Sequence, residues 1–256
     1  MIFCAISAAP SNVGIGFAIP SNIARGVVAD LSEFGSVKRG WLGVGIQPVD
    51  DEIAESVGLE EATGALVSNV MEGNPADKGG IQSGDIILKY DGKEIEDDRA
   101  LVRAAADTPA GKKVKIVVWR GGKEKTMSLS IGEMPSDEIA SVSEDRGSEL
   151  ASTGSPIEAL GMMLAPLDAT SRERAKIPDH ATGVLVTRVD RASTAAQKGV
   201  RPGDIIVQVG GVEIVGTEDI TKALEAATES KRRTALVRVR RGDAFIFVPL
   251  PLKEDG

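Results

Sequence analysis

Runs of aliphatic residues, each cut short by glycine or a polar turn, give the chain a rhythm of short strands and shorter helices. Trp41 to Gln47 (WLGVGIQ) reads as a glycine-broken strand, and Asp51 to Val57 as a short helix with an acidic start that Gly58 stops. Leu66, Val67 and Val70 mark a further strand. Gly84-Asp85-Ile86-Ile87 sets a turn directly before a buried β-branched strand, and Asp91-Gly92 is a tight hairpin turn where positive φ must cost little. Asp97 to Ala106 carries acidic capping residues and apolar Leu101, Val102 and Ala105, which predicts a helix. Val114 to Arg120 and Lys123 to Ile131 form a hairpin about Gly121-Gly122. The predicted order is strand, short helix, strands, helix, hairpin.

The pattern then returns. Gly64 to Ile95 recurs without a gap as Gly183 to Ile214, an offset of 119 residues (183 − 64). Roughly four positions in ten are identical, far above chance for a two-copy repeat. Gly203-Asp204-Ile205-Ile206 repeats the turn before a strand, Gly210-Gly211 repeats the hairpin turn, and Leu185, Val186 and Val189 repeat the earlier strand. A helix near Thr217 to Thr228 and a hairpin about Gly242-Asp243 complete the second copy. Residues 133–156 (EMPSDEIASVSEDRGSELASTGSP), rich in Ser, Asp and Glu, read as a mobile linker. Residues 1–10 (MIFCAISAAP) suit a strand, with Cys4 buried in it. The turn Pro10-Ser11-Asn12 leads to a second strand, Val13 to Ile19. Pro20-Ser21-Asn22 caps a short helix through Ile23, Val27, Val28 and Leu31. These front elements cannot bury a core alone and look like the tail of another domain.

Composition narrows the chemistry. With 256 residues the chain has room for two ordinary domains, and the repeat favours two. Hydrophobic residues make up 42% but aromatic ones only 3%, so the cores must be built from Val, Ile, Leu and Ala. A net charge of −8 argues against nucleic acid, which needs a concentrated basic face. One cysteine excludes an internal disulfide framework and a cysteine-based metal site, and the irregular carboxylates of 137–149 make a poor metal cage. No apolar run approaches the ~20 residues of a membrane span. Nothing in the sequence asks for a cofactor.

An opening apolar-Gly-apolar strand, a PxxxxGΦxxGDΦΦ segment from Pro75 to Ile87, a glycine turn, a helix and a closing hairpin resemble the PDZ domain in its bacterial, circularly permuted form. The second copy keeps the glycines but has Thr194 in place of the proline. VGIGFAIPSNIARGVV (Val13 to Val28), followed by GSVKRGWLGVGIQPV, is similar to the protease-to-PDZ junction of the HtrA (Do/DegP-like) serine endopeptidases. The resemblance covers nearly the whole chain. It implies a mainly β fold with short helices (α+β), arranged as two PDZ-like domains in tandem after a remnant of a trypsin-like β-barrel. The expected bounds are 1–38 for the remnant, 39–133 for the first PDZ domain, 134–156 for the linker and 157–253 for the second PDZ domain.

The departure from that family matters as much. Its protease domain carries His, Asp and the serine of GNSGG. GNSGG is absent from this sequence, and the only histidine, His180 in PDHATG, falls in the second copy, where it reads as a loop residue. A Ser-His-Asp triad needs an imidazole hydrogen-bonded to its serine. The residues at hand cannot run that mechanism, so no catalytic residue is assigned and enzyme activity stays open.

In the PDZ family a peptide C-terminus adds as a strand beside the opening strand, its carboxylate held by backbone N–H groups of the loop. By resemblance the first site is Trp41, Leu42, Gly43, Val44, Gly45 and Ile46, with Leu101 or Val102 of the helix lining the pocket. Their spacing spreads Leu101, Val102 and Ala105 round the helix, so at least one is core. Arg39 could assist the carboxylate or be a solvated linker residue. The second site is Leu160, Gly161, Met162 and Met163. No basic residue precedes it, which predicts weaker binding there. The partners implied are peptides and unfolded proteins with hydrophobic C-termini, and subunits of the same family. Family members work in the periplasm or cell envelope. Residues 1–10 lack the basic start of an export signal, which leaves the cytoplasm open.

Overall fold

A computed structural model describes residues 39–134, 155–157, 161–167, 181–229 and 233–252, with single positions 28, 31, 32, 172 and 177. Val28, Leu31 and Ser32 are helical. Expectations for the rest of 1–38, with Cys4, and for the linker core, Leu160 and His180 lie outside the described residues.

The first unit opens with β1 (Gly40–Trp41) and β2 (Val44–Pro48), then α1 (Asp51–Val57). Asp50 caps α1 by accepting from the Ile53 N–H at 2.8 Å, and Gly58 ends it at φ 71, a left-handed position suited to glycine. β3 (Ala65–Val70), α2 (Pro75–Lys78), β4 (Ile86–Tyr90) and β5 (Lys93–Glu94) follow. α3 (Asp98–Ala106) is capped by Asp97 and leads into the hairpin β6 (Lys113–Arg120) and β7 (Lys123–Ser130). The antiparallel sheet runs β2-β3-β4-β6-β7, with β5 beside β4. A separate short pairing joins β1 to β8 (Gly132–Glu133). Leu101 and Ala105 of α3 close a core over Val67, Ile87, Ile116 and Val118.

The second unit rebuilds this frame. β9 (Ser155–Ile157), β10 (Met162–Pro166) and β11 (Val184–Val189) are followed by α4 (Thr194–Gln197), β12 (Ile205–Val209) and β13 (Val212–Glu213). α5 (Thr217–Glu229) precedes the hairpin β14 (Thr234–Arg241) and β15 (Ala244–Pro251). Its sheet runs β15-β14-β12-β11-β10-β9. Two differences from the sequence reading stand out. The glycine-broken strand at Trp41 to Gln47 is two strands with different partners, because Gly43 turns the chain at φ 74. Ser155 and Pro156, expected in the linker, belong to a strand.

The repeated Asp of each Gly-Asp turn is buried, at 1% exposure in both Asp85 and Asp204. Arg120 grips Asp85 with two bonds of 2.6 Å, and Arg241 grips Asp204 with two of 2.7 Å. Each arginine also donates to a carbonyl, Gly80 or Gly199, so hairpin and turn are locked alike in both units. These bonds hold both guanidinium groups protonated more firmly than usual.

The units touch each other. Leu236 and Phe247 join Ile53, Leu66 and Ile86 in one buried cluster flanked by Val57, Leu59 and Trp119. Gln47 at the end of β2 donates its amide to the Phe247 carbonyl at 3.0 Å and accepts the Phe247 N–H at 2.8 Å. Its side chain thus covers part of the otherwise open edge of β15. Arg238 donates to the Ser68 carbonyl at 3.1 Å and lies 4.2 Å from the Phe245 ring centroid. Burial there pulls the Arg238 guanidinium below its ordinary value. Lys198 pairs with Glu52 across the same boundary.

Candidate peptide-binding site

In the first unit, Leu42 and Gly43 bridge β1 and β2. Their carbonyls turn inward: the Ala76 N–H bonds to Leu42 and the Met71 N–H to Gly43, each at 2.9 Å. Their own N–H groups donate to no acceptor among the described residues. Gly43 is required on two counts. Its φ of 74 strains other residues, and a Cβ there would sit 2.3 Å from the Asn74 Cβ. The result is a tight loop presenting unused donors at the head of β2, the geometry that receives a carboxylate.

β2 ends the sheet, so its outer edge has no strand partner among the described residues. A register shift between Gly45 and Ile46 bends the strand there. Val44 and Ile46 are half-buried against the core. On α3 the two candidate lining residues separate: Leu101 is 1% exposed and belongs to the core, while Val102 is 56% exposed. Val102 is therefore the one open to solvent, and Leu101 packs in the core. Leu42 is buried in the core. Arg39 is exposed, and its carbonyl accepts from Met134 at 3.1 Å. The indole N–H of Trp41 is buried without an acceptor among the described residues.

The second unit repeats the loop geometry. Gly161 has φ 60, a Cβ there would lie 2.3 Å from the Ser193 Cβ, and its carbonyl accepts from the Asp190 N–H at 2.8 Å. β10 carries the matching register shift, between Met163 and Leu164. Met162 is buried in the core and Met163 half-buried. Its outer edge, unlike that of β2, is paired: β9 lies along it.

Sequence reasoning missed α2 and α4. Pro75 directly after Asn74 was the available signal, since proline suits the first helical position. It also missed the arginine clamps, although Arg120 and Arg241 stand at matching places before the hairpin glycines. Among the described residues no three His, Cys, Asp or Glu side chains gather as a metal site, and no helix is long and apolar enough to cross a membrane.

Strand order, loop and flanking helix define the class: this is a protein with two PDZ domains. Residues 40–131 and 185–238 each match the PDZ domain family. The chain matches the C-terminal PDZ region of HtrA/DegP-like proteins. It is 40% identical over 241 residues to a probable periplasmic serine endoprotease DegP-like of Bartonella henselae, covering 94% of this chain and 46% of that protein. A protein of the same description from Rhizobium meliloti is 37% identical over 246 residues, covering 95% and 47%. Among solved structures, the HtrA-type protease AlgW with decapeptide is 39% identical, with 52% of this chain and 41% of that one covered and a TM-score of 0.45. The chain spans about half the length of the curated relatives it matches.

Proposed function

We propose that the first unit is a receptor for free hydrophobic C-termini, bound as a strand along β2 with the carboxylate on the N–H groups of Leu42 and Gly43. One observation carries this: a strand edge unpaired among the described residues runs directly into a loop whose N–H groups have no partner among them. Trp41 to Ile46 supply the backbone, Val102 supplies apolar contact from the helix, and Arg39 adds positive charge near the loop. Exposed hydrophobic C-termini are a mark of unfolded or cleaved proteins, so the substrate class is damaged polypeptide. The relatives are named as periplasmic endoproteases, which supports the periplasm as the place of action and capture for proteolysis as the purpose. The catalytic residues belong to a part of the family that this sequence does not contain, since it has neither GNSGG nor a histidine before His180.

The test is titration of the full chain with a labelled peptide ending in hydrophobic residues, beside its amidated copy. The free peptide is expected to bind at least about tenfold more tightly, because a carboxylate makes charge-assisted bonds to N–H groups that an amide cannot. Gly43→Val should abolish binding by filling the space against Asn74. Equal binding of the two peptides would rule out the carboxylate loop.

A further inference from the structure

β10 is the second unit's counterpart of β2. It follows a left-handed glycine, pairs with β11 on one side, and shifts register at the matching point. On its other side, β9 runs antiparallel with Ile157 opposite Met162, Pro156 opposite Met163 and Ser155 opposite Leu164. The three covered residues are those nearest the loop, where the last residues of a peptide would pair. In the first unit the stretch before the loop goes elsewhere. Gly40 and Trp41 pair with Glu133 and Gly132, and among the described residues β2 keeps its outer edge.

We propose that Ser155–Ile157 is an internal stand-in for a peptide, holding the second unit's edge shut until an incoming strand displaces it; this rests on reading the first edge as a peptide site. A strand edge offers one row of N–H and C=O groups, and two strands cannot share it. The occupant is tethered: β10 begins only four residues after β9 ends, so closure costs little entropy and the local concentration is high. It is also easily replaced. It is three residues long, so few ladder bonds hold it, and proline is a poor strand former. A longer peptide forms more bonds. If the edge is shut nine-tenths of the time, its apparent affinity falls about tenfold. The first unit then serves as the standing receptor, and the second engages a chain that the first has already concentrated beside it.

The experiment uses the full chain with methyl-labelled methionines. Met71, whose N–H bonds to the Gly43 carbonyl, reports on the first edge, and Met162 and Met163 report on the second. During titration with a free-C-terminus hydrophobic peptide, Met71 should respond first and the second pair only at about tenfold higher concentration. Combining Ser155→Gly, Pro156→Gly and Ile157→Gly should bring the two responses together. Pro156→Val, which adds β propensity, should push them further apart. Without peptide, amide exchange at Met162 and Leu164, whose N–H groups face β9, should be slow in the wild type and fast in the glycine variant. Fast exchange in the wild type, or second-edge titrations unchanged across the variants while Met71 responds, would overturn the proposal. A Met71 signal silent in every protein would instead sink the peptide-site reading, and this proposal with it.

Discussion

In the first unit β2 ends its sheet with an edge bare among the described residues, whereas in the second β10 carries three residues of its own chain along that edge. Much beneath is held in common. Sheet order, register shift, left-handed glycine and buried Asp–Arg clamp recur at matching places. This difference falls on a part of the frame whose hydrogen bonds the core does not fix. A core residue changed in one copy loses packing at once, while an edge can be left open, lent to a neighbour or closed by a few residues at little cost to folding.

The largest expected effect tests the shared frame. Asp85→Ala strips a buried clamp and leaves Arg120 without its carboxylate, and Asp204→Ala does the same to Arg241. Breaking a buried pair by removing one partner costs about 3–5 kcal/mol. The arginine side chains are 23% and 32% exposed and can turn to water, which favours the lower end. Urea unfolding of each variant should show losses of similar size. A loss confined to one variant would break the equivalence of the two frames.

Next is the boundary between them. Phe247 places its ring in a cluster drawn from both units and exchanges two backbone bonds with Gln47 at the end of β2. Phe247→Ala should cost about 3 kcal/mol, at the low end for a buried Phe because the ring keeps 7% exposure. The informative result is the shape of the denaturant curve. A single transition in the wild type that splits into two would show that the contact joins the units energetically. Two transitions in the wild type would make each unit independent and the boundary incidental.

How much of this was legible beforehand follows the same division. The repeat, the two sheets, the helix at Asp97 to Ala106 and the need for Gly43 could be read because they rest on local periodicity and turn chemistry. The role of Asp85 was half legible: the Gly-Asp turn was visible, but its partner Arg120 lies 35 residues away, across the sheet. Spacing could say that Leu101, Val102 and Ala105 do not share a face, but not which one faces outward. Phe247 and Gln47 gave no signal, since an apolar residue in an alternating strand reads the same whether it packs on its own core or a neighbour's. β9 was hidden for a related reason. Ser-Pro-Ile after a polar stretch has no strand pattern of its own, and its order comes from the edge it lies on.

The smallest effect separates the units by pH. β4 ends in Tyr90, and its counterpart β12 ends in Val209. Tyr90 donates to the Thr108 hydroxyl at 2.9 Å, and that hydroxyl donates to the Ala104 carbonyl at 2.7 Å. Burial pushes the Tyr90 phenol above its ordinary value of 10.0; Thr108 pulls it down, Asp91 pushes it up and Lys112 pulls it down, leaving it raised. The folded chain therefore keeps the phenol proton to a higher pH than the unfolded chain does. Its stabilisation is complete below the unfolded value and is lost as pH rises through the folded one. Lys112, raised by its bond to Asp91, acts in the same direction, but it stays in place in Tyr90→Phe, so the difference between wild type and variant isolates the phenol. That variant should cost about 1 kcal/mol near neutrality, where one hydrogen bond is lost and Thr108 keeps its bond to Ala104. The cost should shrink as pH rises above about 10, where the wild type loses its advantage. Tyr90 is the only tyrosine, so ultraviolet titration reads it directly. A folded-state midpoint at the ordinary value would mean an accessible phenol, and this contrast between the units would vanish.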